Sequence, residues 1–236
     1  MQRFQIFWHN LQQDLKIFLY FTILFSVFRL VFMGIFNTYL SSSTIQDIML
    51  CMWYGFRLSL KTAGMIALIG GVLATLPQIG FIKWPSEIIR KIWSALMVLI
   101  FTIAFFARIP YFEIFNSGFN IMLINGVHDD WGAILDTAIN EYGLLWRLPL
   151  AFLITGILIW LLLKFLNIKT RPAKITNSRQ LFFAIVRVII VLPIFFVFVR
   201  YGGAFNYANS INFESAERLK LSLIHISEPT RHLRIS

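Results

Sequence analysis

Charge is scarce in this sequence. Asp, Glu, Lys and Arg make up 14% of its 236 residues, against about 25% in an ordinary soluble domain. With 58% hydrophobic residues, such a chain cannot cover a globular surface with polar groups. That excludes a water-soluble domain and favours lipid as the surrounding medium. Cysteine is scarcer still. Cys51 stands alone, so neither an intrachain disulfide nor a thiolate metal cluster can form within the chain, and the residue reads as a small apolar member of a helix. Acidic residues are few, 11 against 21 basic ones, and residues 200–236 hold no Asp. A net charge of +10 would suggest a nucleic-acid partner in a soluble protein. Here it is a charge to be sorted across a membrane, and no nucleic-acid partner is expected.

What the sequence does have is long apolar runs. The mean hydropathy is +0.73 and there are 25 Phe. Five stretches approach the roughly 20 residues that cross a bilayer: 17–36, 62–81, 90–108, 144–166 and 181–200. The expected fold is all-α, a polytopic membrane domain over 1–200 with five transmembrane helices. The first run is too long for a signal-peptide core and no A-x-A site follows it, so it reads as a retained signal-anchor. Pro149 and Pro193 fall inside spans, where neighbouring helices can re-satisfy the carbonyls they free and a kink is expected.

The basic residues sort cleanly. Arg3 and Lys16 precede the first span, Lys83, Arg90 and Lys91 follow the second, and Lys164, Lys169, Arg171, Lys174 and Arg179 follow the fourth. With five spans all of these lie on one side. The loop 108–143 on the other side sets Arg108 against Glu113, Asp129, Asp130, Asp136 and Glu141. The positive-inside rule then puts the N-terminus in the cytoplasm and the C-terminus outside.

Smaller features qualify this frame. In 41–61, Ser43 or Thr44 can cap a helix with Asp47 in its first turn, and that helix runs on into the second span. Arg57 and Lys61, four residues apart, share a face. They either snorkel to headgroups or form a site for a lipid phosphate. Arg29 and Arg187 lie deeper in their spans and read as snorkelling. Within 108–143, Trp131, Ile134, Leu135, Ala138, Ile139 and Tyr142 recur at helical spacing. They predict a short amphipathic helix on the outer surface, started by Asp129 or Asp130 and ended by Gly143. The run His128, Asp129, Asp130 is a helix cap rather than a metal site, because three adjacent ligands do not converge on one ion unaided. The segment 201–220 is turn-rich at first and reads as a linker leaving the membrane.

Three stretches resemble the membrane domain of the lipoteichoic acid synthase-like family, phosphoglycerol transferases of the alkaline phosphatase/sulfatase superfamily. "GFRLSL" at 55–60 is similar to the family's "GLRFDL", keeping Gly55 and Arg57 but with Ser59 where Asp is common. "ARIPYFEIFNSGFN" at 107–120 resembles the exit of the third span through Tyr111 and Phe112, with Arg108 where an acid is common. "RYGGAFNYANSINFESAERLK" at 200–220 resembles the linker to the soluble domain, with Gly202, Gly203 and Asn206 at matching positions. The resemblance covers about residues 15–220 and implies a bacterial plasma-membrane protein. In such a protein an extracytoplasmic catalytic threonine attacks the phosphodiester of a lipid such as phosphatidylglycerol, aided by a divalent metal, typically manganese. Relatives transfer phosphoethanolamine, and some hydrolyse. No catalytic, metal or cofactor residue carries over onto this chain, and the residues expected to touch a lipid headgroup are Arg57 and Lys61.

The last stretch, 221–236, reads as translated sequencing-library adapter. "LSLIHISEPTR" follows the adapter codon for codon, and the remaining residues fit a sample index and its continuation. On that reading the natural sequence is interrupted after Lys220, ahead of a catalytic domain. Two other functions compete: a transporter or channel subunit, which should show inverted repeats or intramembrane acids, and a small membrane scaffold. No repeat is visible, and no Asp or Glu lies in the core of an expected span.

Overall fold

The computed structural model describes residues 2–40, 44–80, 84–116, 119, 132, 136, 139, 140, 142–173 and 175–205. Among them the chain is helical, without strands: α1 (Gln2–Ile35), a 3₁₀ turn (Asn37–Leu40), α2 (Ile45–Gly80), α3 (Ser86–Phe115), α4 (Leu144–Leu166) and α5 (Ser178–Arg200). All five α-helices are long and apolar enough to cross a membrane, giving a multi-pass membrane architecture. Side chains such as Ile23, Leu145, Phe182 and Ile189 are exposed, a surface suited to lipid and not to water.

The helices outrun the apolar windows. α1 begins fifteen positions before its expected span, at Gln2 instead of residue 17, because its polar first half finds partners: His9 Nδ1 lies 2.6 Å from Thr170 Oγ1, and Gln12 exchanges two hydrogen bonds with the backbone of Arg171. α2 starts at Ile45, next to Thr44, one of the two expected caps; the other, Ser43, lies outside the described residues. The Thr44 N–H donates to Asp47 Oδ2 at 3.3 Å, the back-reaching half of a capping box. α3 continues past 108 to Phe115 and stops where Asn116 turns left-handed, φ 47°, a conformation Asn tolerates better than most residues. Pro77, Pro110, Pro149 and Pro193 all sit within helices.

The chain forms two compact units. The first contains α1, α2 and α5. Asn10 of α1 donates to Gln78 of α2, Thr75 of α2 donates to Asp14 of α1 at 2.5 Å, and Arg29 of α1 donates to Ser59 of α2 at 2.9 Å. These pairs descend one helix as they climb the other, so α1 and α2 are antiparallel. α5 runs parallel to α1, with Phe18 edge-on to Phe195 at 5.1 Å. It presses on α2 at Gly64, where an added Cβ would lie 1.8 Å from Val199 Cγ1. The buried apolar core of this unit includes Ile17, Phe21, Ala63 and Ala74.

The second unit pairs α3 with α4. Three of its buried hydroxyls close on their own helices: Ser94 Oγ donates to the Arg90 carbonyl, Thr102 to Val98 and Thr155 to Ala151, each at 2.7 Å. That satisfies hydroxyls where no water is available. Arg147 Nη2 lies 3.6 Å from Glu113 Oε2. Gly143, at φ 60°, precedes α4; a Cβ there would fall 2.3 Å from the Trp146 indole nitrogen, so the left-handed turn and the tryptophan both require glycine.

Of the expected amphipathic surface helix, Gly132, Asp136, Ile139 and Asn140 are helical, and Asn140 Nδ2 donates to Asp136 Oδ1 one turn back at 2.8 Å. Tyr142 lies in a turn and not in that helix. The other residues of the expected helix, the His128-Asp129-Asp130 run, Asn206 and residues 207–236 lie outside the described residues.

Candidate functional site

The first unit has two ends: a start end, where α1 and α5 begin and α2 finishes, and a finish end, where α1 and α5 finish and α2 begins. Cations from all three helices gather toward the finish end. Arg29 comes from α1, Arg57 and Lys61 from α2, and Arg200 from the last turn of α5. α1 beyond Asp14, α2 beyond Asp47 and all of α5 contain no acidic residue.

Each cation is positioned by a local device. Arg29 does not reach along its own helix toward lipid, as a snorkelling arginine does. Its guanidinium lies across α2 at Gly55, where a Cβ would be 2.2 Å from Nε and 2.3 Å from Cζ. Its Nη2 donates to Ser59 Oγ, and the Ser59 hydroxyl donates to the Gly55 carbonyl at 3.0 Å. Gly55 and Ser59 are thus one receptor for Arg29, which gives the "GFRLSL" stretch a structural job.

Arg57 Nε donates to the Gly202 carbonyl at 2.6 Å. That carbonyl belongs to a Schellman end on α5: Gly203 N–H bonds to Phe198 O at 2.8 Å and Gly202 N–H to Val199 O at 3.0 Å. Gly202, the residue this motif needs left-handed, has φ 62°, and Gly203 follows at φ 80°. Of the two residues expected at a lipid headgroup, Arg57 is therefore engaged in closing the end of α5. Lys61, one turn further along α2, has Arg200 as a neighbouring like charge. Arg57 and Lys61 are half-buried, and Arg200 is exposed.

From the opposite end a cleft of about 1250 Å³ runs up to Gly64 and Val199, bounded by α1, α2, α5 and Arg171, Pro172, Ala173 and Ile175. This is larger than the roughly 300–1,000 Å³ of common small-molecule pockets. Its lining is mostly apolar, but Asp14, Thr75, Arg171, Gln180 and Arg187 also face it. Sequence reasoning missed Asp14 because it precedes the apolar window of the first span. The signal was present in the polar positions Asn10 and Asp14, one turn apart on a helix whose antiparallel neighbour offers Gln78 and Thr75. Arg187, read as snorkelling, is a lining residue of this cleft.

Among the described residues, no three of His, Cys, Asp or Glu come together in a way that could hold a metal ion. The metal implied by the family resemblance therefore finds no ligand set there, and no chemistry is assigned through it. Comparison with protein-family models, curated proteins and solved structures finds no match for the chain.

Proposed function

We propose that the chain is the membrane anchor of a lipoteichoic acid synthase-like phosphoglycerol or phosphoethanolamine transferase, and that Lys61 and Arg200 attract the phosphate of its lipid substrate. The observation that carries this reading is the Arg57–Gly202 hydrogen bond. It fixes the chain leaving α5 against the cationic face of α2, so whatever the segment 201–220 carries starts beside Lys61 and Arg200. The sorting of basic residues supports an N-terminus in the cytoplasm and an extracytoplasmic exit, and the family resemblance supports a bacterial plasma membrane. Phosphatidylglycerol fits the charge: an anionic phosphodiester at headgroup depth meets cations from α5, which holds no acidic residue, and from α2, whose one acid is Asp47. The metal and the nucleophile belong to the catalytic domain joined through 201–220.

The test uses the chain joined to its natural continuation. Lys61→Gln with Arg200→Gln should lower turnover of phosphatidylglycerol in vesicles while leaving a water-soluble glycerophosphodiester unaffected; equal turnover of the lipid by both proteins would remove the assigned role. Because Cys51 is the only cysteine, its labelling by an impermeant maleimide in intact cells reports the orientation directly.

One observation favours a transporter instead. Asp14 is an acid inside a bundle of membrane-capable helices, hydrogen-bonded across to Thr75. Cation flux into proteoliposomes that is abolished by Asp14→Asn would establish that reading and displace the anchor.

A further inference from the structure

The cleft between α1, α2 and α5 has a direction. Its polar groups, Asp14, Thr75, Arg171, Gln180 and Arg187, cluster at the start end. The levels follow from the contacts: Asp14 is opposite Thr75, Arg171 is beside Gln12, and Phe195, two turns above Arg187, meets Phe18. From Thr75 toward Gly64 the α2 wall is low, built on Gly64, Ala67, Leu68, Gly71 and Val72; the Asp14 carboxylate lies over it at Gly71 and Val199 closes it at Gly64. The eleven-residue rise along that wall is about 16 Å. Half of a bilayer's hydrocarbon core is about 15 Å.

A cleft with cations at one end, an apolar run one leaflet deep and a volume above that of ordinary metabolite pockets has the polarity of a phospholipid. We propose that it holds a glycerophospholipid from the leaflet at the start end. One acyl chain lies along Ala67 and Leu68, and the phosphate meets the guanidinium groups of Arg171 and Arg187. Its polar end is at the opposite end of the unit from Lys61 and Arg200, its apolar end stops at Gly64 and Val199, and it does not depend on the proposed transferase function. Arginine suits the role because its planar fork matches phosphate oxygens. Asp14 does not repel the phosphate fully, since the lining sets two guanidinium groups against its one carboxylate, and that carboxylate accepts a hydrogen bond from the Thr75 hydroxyl.

The experiment is native mass spectrometry of the full chain, released from nanodiscs of phosphatidylglycerol and phosphatidylethanolamine and titrated with short-chain phospholipid after delipidation. One phospholipid should remain bound after gentle delipidation. Ala67→Phe, which fills the apolar run, should abolish that adduct. Arg187→Gln alters an exposed side chain and leaves packing alone. It should weaken phospholipid binding about tenfold, the loss expected for a charge-assisted hydrogen bond, and leave binding of an uncharged diacylglycerol unchanged. An adduct unaffected by both substitutions overturns the proposal, as does a lipid-free dimer whose subunits crosslink through Ala67→Cys.

Discussion

Arg29 and Gly55 occupy one space. The guanidinium of the first lies where the side chain of any larger residue at the second would begin, 2.2 Å from Nε. Neither residue is intelligible alone: the arginine is a charge deep in an apolar helix, the glycine a weak helix former, and their fit accounts for both.

Gly55→Ala should therefore destabilise the protein by about 1–3 kcal/mol, the range for overpacking a fitted contact, even though alanine is the better helix former. In an Arg29→Ala background the same substitution should cost nothing or stabilise. Thermal unfolding of the four proteins in one detergent makes the double-mutant cycle, and additive effects would show that the two side chains do not share a site.

Arg57→Met keeps the aliphatic stem and removes the donor to Gly202. We expect a loss of about 1.5–3 kcal/mol, as for hydrogen bonds made by charged groups, concentrated at the end of α5. Limited proteolysis with chymotrypsin should cut after Tyr201 or Phe205 far faster than in the parent chain. Gly202→Ala should expose the same bonds, since a left-handed alanine costs roughly 1–2 kcal/mol.

Thr75→Val removes the hydroxyl that donates to Asp14 and should cost about 1–3 kcal/mol, because a half-buried carboxylate loses a donor. Thr75→Ser should restore most of it. Asp14→Asn retains an acceptor oxygen and should be milder than Thr75→Val. Urea titration of the detergent-solubilised chain ranks the three.

Glu113→Gln should change stability by less than about 1 kcal/mol, since partly exposed ion pairs contribute little. Its 3.6 Å contact with Arg147 joins side chains that are 40% and 22% exposed. A larger effect, insensitive to added salt, would mean that the pair is the main tie between α3 and α4.

The number and order of spans were legible from hydropathy alone, and the start of α2 from Thr44 and Asp47. The true extent of α1 was not. An apolar window measures preference for lipid, whereas residues 2–16 are helical because Gln12, His9 and Asn10 find partners on other segments. The same limit hid Asp14. Arg57 and Lys61 were picked out by spacing and charge, but spacing could not show that Arg57 turns toward the backbone of a residue 145 positions away. Arg29 and Arg187 were visible as anomalies. What they face is a property of neighbouring helices: Gly55 and Ser59 for one, the cleft for the other.

The three polar pairs between α1 and α2 act together as rungs. The outermost, Asn10 with Gln78 and Arg29 with Ser59, are nineteen residues apart along α1, about 28 Å, close to the full hydrocarbon thickness of a bilayer. Sliding one helix past the other by a single residue, 1.5 Å, strains every rung at once. The pair resists piston-like shear while remaining free to bend as a unit. Mechanical load applied at either surface is thus transmitted across the membrane by these two helices as by a stiff strut, with α5 riding on it.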